Sequence, residues 1–271
     1  MFRTTLTAVA LAAMAGAATA QQSWGVISTS GDPDPVTVFD LADPGGSQST
    51  LGFVDGNFNR GMDFISENSF YYFVSTDTLN DPGDRGLWLF DNGVNTQLGT
   101  IGFNDSGDGD ATYNTSNSTF YVSVDDQDGT AGDSLYAWTN LGGTPTFTEI
   151  GETGLTQIIG LAFNPVDGLL YGYDSGTEGL YTIDAGSGAA TLVGNSGASL
   201  GAIGGMDFAL DGTLLLSSGD DLFLVDTSNG LLTSAGILTG LNTSALSYRV
   251  PTPGAAALLG LAGLATARRR R

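Results

Sequence analysis

Carboxylates are nearly the only groups in this sequence able to do chemistry. The 271 residues hold 29 Asp and Glu against eight Arg, with no Lys, His or Cys and a net charge of −21. Without lysine there is no Schiff-base amine and no phosphate-cradling P-loop. Without histidine the usual general base, the Ser/His/Asp triad and the commonest zinc ligand are gone. Without cysteine there is no thiol nucleophile, disulfide or thiolate metal site.

Three arrangements remain. Two short loops are dense in oxygen ligands: Asn104-Asp105-Ser106-Gly107-Asp108-Gly109-Asp110 and Asp125-Asp126-Gln127-Asp128-Gly129. Closely spaced carboxylates suit calcium, so Asp105, Asp108, Asp110, Asp125, Asp126 and Asp128 are candidate calcium ligands. Neither loop completes a twelve-residue EF-hand, and the same residues also read as a solvated acidic rim. Asp63 and Asp207 sit in matching tetrads, Gly61-Met62-Asp63-Phe64 and Gly205-Met206-Asp207-Phe208, and read either as structural hydrogen-bonding residues between repeat units or as a carboxylate pair able to supply the acid and nucleophile of glycoside cleavage. Finally, Gly197-Ala198-Ser199-Leu200-Gly201 matches a nucleophile elbow, but it precedes a strand rather than a helix and no histidine exists to activate the serine.

The tetrads belong to a repeat with a period of roughly 40–50 residues. The aligned anchors end at Phe64, Tyr113, Phe163, Phe208 and Tyr248, and the residues at the Asp63 position are Asp63, Thr112, Ala162, Asp207 and Ser247. After each of the first four anchors comes a turn (Glu67-Asn68, Ser116-Asn117, Asp167-Gly168, Asp211-Gly212) and then three β-branched or aromatic runs. The N-terminal portion supplies three such runs, Trp24 to Ile27, Val36 to Phe39 and Thr50 to Phe53, with no first strand. Ala245 to Tyr248 is the missing piece. The expectation is an all-β, five-bladed propeller over residues 21–249, four antiparallel strands per blade, closed by the C-terminal strand pairing with the N-terminal blade. The wording Gly160-Leu161-Ala162-Phe163-Asn164-Pro165, followed by Leu180-Tyr181-Thr182-Ile183-Asp184, resembles secreted bacterial β-propellers.

Both ends read as processing signals. Arg3, the apolar run Leu6 to Ala17 and Ala18-Thr19-Ala20 form a signal peptide over residues 1–20. Residues 250–271 carry Val250-Pro251-Thr252-Pro253, an apolar run to Ala267, and Arg268, Arg269, Arg270 and Arg271, an order in which the arginines stay cytoplasmic. This tail resembles the PEP-CTERM sorting signal of Gram-negative bacteria. The resemblance implies an exosortase-type processing enzyme as partner, residence in the envelope, cell surface or extracellular matrix, and membrane attachment through the tail before processing.

Only Arg60, Arg85 and Arg249 lie between these signals, so the body repels nucleic acid and anionic headgroups. The expectation is a non-enzymatic binding or structural module whose acidic loop rim meets an extracellular polysaccharide, a surface protein or a divalent cation. The alternative is a carbohydrate-active hydrolase using channel-facing carboxylates.

Overall fold

The computed structural model describes residues 22–29, 33–55, 59–75, 85–102, 109–125, 132–201 and 203–250. Five four-stranded antiparallel sheets form a ring. The N-terminal sheet contains β1 (Ser23–Ser28), β2 (Asp34–Asp40) and β3 (Ser49–Val54). The second runs β4 (Asn59–Ser66), β5 (Ser69–Val74), β6 (Gly86–Asp91) and β7 (Val94–Thr100), and the third β8 (Ala111–Asn114), β9 (Thr119–Val124), β10 (Ser134–Thr139) and β11 (Thr146–Glu152). The fourth holds β12 (Ile158–Phe163), β13 (Leu170–Asp174), β14 (Gly179–Ile183) and β15 (Ala190–Asn195). The fifth holds β16 (Gly204–Phe208), β17 (Leu214–Ser218), β18 (Asp221–Val225) and β19 (Leu232–Ile237), and β20 (Thr243–Tyr248) returns to the first sheet.

Closure occurs where the repeat requires it. β20 pairs antiparallel with β1 through Trp24↔Tyr248, Gly25↔Ser247, Val26↔Leu246 and Ile27↔Ala245. The first blade is therefore built from both ends of the body, and both blade edges at the seam are satisfied. Arg249 then donates to Glu67 O at 2.6 Å and to Asn68 Oδ1 at 2.8 Å, fixing the chain as it leaves the ring beside the turn of the second blade. The signal peptide, the tail from Pro251 to Arg271, and Asp105, Asp108, Asp126 and Asp128 lie outside the described residues. Among the described residues no helix is long and apolar enough to cross a membrane.

The core is divided into five seams, one between each pair of neighbouring blades. Phe64, Phe70 and Phe90 pack with Ile27 and Val36 at one seam; Trp138, Phe120 and Leu87 fill the next. Strand alternation explains this partition: successive side chains go to opposite faces, and in a radial sheet both faces meet another blade. Each blade also carries a register shift between its third and fourth strands, after which the outer strand presents a glycine: Gly52, Gly99, Gly151, Gly194 and Gly236. A Cβ at these positions would meet, respectively, the Phe90 ring, the Trp138 ring, Ser187 O, Asn229 O and the Pro44 ring of the following blade. The glycines let each outer strand seat against its neighbour, and the bulge supplies the extra twist.

Candidate functional site

The inner strands β4, β8, β12, β16 and β20 line the axis. Four of the five residues at the Asp63 position fasten one blade to the next through a side-chain oxygen that reaches a backbone N–H of the following inner strand. Asp63 Oδ2 accepts from Tyr113 N–H at 2.6 Å. Thr112 Oγ1 accepts from Phe163 N–H at 3.1 Å, and Ser247 Oγ from Phe64 N–H at 3.0 Å. Asp207 Oδ2 accepts from Tyr248 N–H at 2.8 Å. Ala162 breaks the series. The N–H that would have been its partner, on Phe208, turns instead to Asp207 Oδ1 at 2.7 Å.

Ser247 also joins the two carboxyls of the predicted pair. Its hydroxyl lies 2.9 Å from Asp207 Oδ2 and 3.4 Å from Asp63 Oδ1. Asp63 and Asp207 are 9% and 5% exposed. Burial pushes the Asp207 carboxyl up to about 7 against the opposing pull of its hydrogen bonds. Burial, and then the charge of Asp207, raise Asp63 well above the ordinary carboxylate range. Two like charges held this close in a dry site cannot both ionise at neutral pH, so the pair retains a proton. The structure thus brings the pair together as its spacing in the repeat predicts, but between blades rather than in an open cleft. A glycosidase pair needs room for a sugar between its carboxyls, and this one has a serine there.

A third carboxyl, Asp110, lies at the same axis and corrects a reading from the sequence. Predicted as a rim ligand for calcium, it is fully buried. Its Oδ2 accepts from Leu161 N–H at 2.8 Å and from Met206 N–H at 2.9 Å, reaching both the fourth and fifth blades. An oxygen saturated by two backbone donors beneath the surface is not offered to a cation in solution. Its Oδ1 is buried without a hydrogen-bond partner, and burial raises its pKa well above normal, with the charge of Asp207 adding to the effect. The signal for this role is present in the repeat: where the other blades place Gly61, Gly160, Gly205 and Ala245, the third blade places Asp110. A Cβ on Gly61 or Gly205 would press into the backbone of Ala111 or of Ala245 and Leu246, so these positions point into the tightest part of the ring. An Asp there must extend across the axis.

Asp125 directly follows β9. Among the described residues, no group of three or more acidic side chains is arranged to hold a metal ion. The structure also sorts the acids that end third strands. Asp40, Asp184 and Asp226 accept N–H bonds from Ala42, Gly186 and Ser228, as Asx turns do, whereas Asp91 accepts from the Ser69 hydroxyl instead.

Neither a family model nor a curated protein sequence matches the chain. Solved structures do. The chain is similar to a structure from a nidogen/laminin complex, with 13% identity, a TM-score of 0.53, and 84% of this chain and 81% of that one covered. It is similar to a gluconolactonase from Xanthomonas campestris, with 17% identity, a TM-score of 0.50, and 83% and 79% covered. A calcium-binding regucalcin from Agrobacterium tumefaciens has 17% identity and a TM-score of 0.49 over 79% of this chain and 70% of its own. The chain spans 56% of a longer Bacteroides thetaiotaomicron protein of unknown function. Five four-stranded sheets in a ring define the class, a five-bladed β-propeller, and the likenesses at TM-scores of 0.50 and 0.53 are likenesses of fold. They also overturn the expectation of a non-enzymatic module, since one structure of matching architecture is an enzyme, a gluconolactonase. The expectation rested on missing His, Lys and Cys, but hydrolysis by activated water needs only carboxyls of suitable pKa.

Proposed function

We propose that the chain is an exported carbohydrate-active hydrolase that opens a small sugar-derived ester or lactone with the Asp63–Ser247–Asp207 group. The observation that carries this reading is Asp207, held near neutrality at about 7 by burial and bridged through the Ser247 hydroxyl to Asp63. A carboxyl poised near the working pH is suited to both giving and taking a proton. In the reaction, water forms the new C–O bond and loses its proton to the ionised member of the pair. The ring C–O bond then breaks as the protonated member donates to the leaving oxygen. A small cyclic ester fits this group better than a glycan, because the pair lies in no open cleft. The named activity of the Xanthomonas campestris neighbour points the same way. Export by residues 1–20, exosortase-type processing of residues 250–271, and residence near extracellular polysaccharide belong to the same proposal and rest on the terminal sequence patterns.

Acid release from aldonolactones and sugar esters, followed at constant pH, tests the activity. The expected result is turnover that rises as pH climbs through about 7, when Asp207 gives up its proton and becomes the base while Asp63, raised by burial and by the charge of Asp207, still holds the proton to be donated, and a loss of about 100-fold or more in Asp207→Asn. Hydrolysis no faster than in buffer, or unchanged in that variant, defeats the reading.

A further inference from the structure

The β15–β16, β17–β18 and β19–β20 connections converge where the closing strand joins the ring. They enclose a groove of about 400 Å³ lined by Ser199, Leu200, Ser218, Gly219, Asp221 and Asn242. Each wall is pinned. Gly201 N–H donates to Ser218 Oγ at 3.1 Å, holding the first connection to the second. Thr243 reaches Gly219 O through its N–H at 2.8 Å and its hydroxyl at 2.7 Å, holding the second to the third. Asn242 is held by Ser28 Oγ at 3.1 Å and by Thr29 Oγ1 at 2.9 Å, tying the third to the first blade. The groove is therefore preformed, and an occupant need not organise it.

We propose that this groove binds a neutral carbohydrate of one or two sugar rings. The Ser199 hydroxyl and the Asp221 carboxylate have no hydrogen-bond partner among the described residues, and the side chain of Asn242 has committed only its Nδ2, to Thr29, leaving Oδ1 to accept. Two acceptors and a hydroxyl around one cavity match the vicinal O–H donors of a sugar, and Leu200 provides an apolar surface for the C–H face of a ring. No arginine lines the groove, and a chain carrying −21 charges repels an anionic ligand. The Gly197-Ala198-Ser199-Leu200-Gly201 segment that imitates a nucleophile elbow thus serves as one wall of a binding groove. Its serine offers a hydrogen bond rather than a nucleophile. Because the groove spans the seam, an occupant also clamps the ring closed.

This site stands apart from the hydrolytic reading, since binding there requires no chemistry at Asp207. Titration calorimetry and thermal melting of the full chain with D-glucose, D-galactose and cellobiose test it. Binding of at least one of these sugars with a rise in melting temperature is expected. Asp221→Ala, at an exposed position, should keep the native circular dichroism and weaken binding by about tenfold or more, the worth of one hydrogen bond to a charged group. Leu200→Arg should abolish it, and Asp207→Asn should leave it intact even where hydrolysis is lost. The proposal is overturned if none of the three sugars binds at about 50 mM, well above the millimolar range of weak single-site ligands. Affinity unchanged in Asp221→Ala, or binding of spermidine in place of every sugar, overturns it equally.

Discussion

Asp63, Asp110 and Asp207 are buried around one axis with no arginine among the described residues bonded to any of them, and burial is the largest cause of the raised pKa in each. The linkage to stability has a definite sign. A carboxyl whose folded pKa is raised favours the fold fully below its unfolded value of about 3.9. That contribution is lost as pH rises through the folded value, which for Asp207 is about 7. The exposed Asp184 and Asp226 act oppositely: hydrogen bonds led by the Ser187 and Ser228 hydroxyls lower their pKa, so their contribution disappears as pH falls through those lowered values. The melting temperature should therefore peak in weak acid and decline steadily toward pH 8, as a melting series across pH will read. Asp110→Asn keeps an oxygen for Leu161 and Met206 and removes the charge, so its decline should be shallower than that of the parent chain. Asp63→Ala leaves the Tyr113 N–H and the Thr112 hydroxyl without their acceptor. Its denaturant midpoint should fall by the equivalent of about 1–3 kcal/mol, while Asp63→Asn should stay close to the parent.

The strands are bound to their neighbours by two repeated devices of different visibility. Alternating apolar residues between Asx and Gly turns marked every strand, and the observed bounds differ from those runs mostly at the ends, because local period and turn chemistry lie along the chain itself. The glycine of each outer strand was also present in the sequence, but its purpose depends on which atom of the next blade presses there. Gly99→Val would drive a branched side chain into the Trp138 ring. It should cost about 1–3 kcal/mol, the usual range for overpacking, with Trp fluorescence reporting the displaced indole. Ser247→Ala removes the oxygen that receives Phe64 N–H and parts the two carboxyls from their bridge. Thermal melting should register a loss of about 1–3 kcal/mol.

For the molecule as a whole, the ring depends on a strand contributed by the far end of the body. A chain ending at Asn242 lacks β20, exposes the edge of β1, and uncovers the inner faces of β4 and β16. Such a chain should elute as aggregates or mixed oligomers with diminished β signal, whereas a chain ending at Val250 should be a folded species. Sequence by itself determined the number of blades, their four-strand grammar and the identity of the closing strand, since each follows from periodicity, turn residues and a counted shortfall at the N-terminus. It also singled out Asp63 and Asp207 as partners. Only the tertiary structure decided that Asp110 leaves the rim for the axis, that Ser247 stands between the paired carboxyls, and that Ser199 walls a groove at the seam. Those outcomes depend on which backbone N–H groups of other blades come within reach once the ring closes at a particular radius. No pattern along a single strand records that distance.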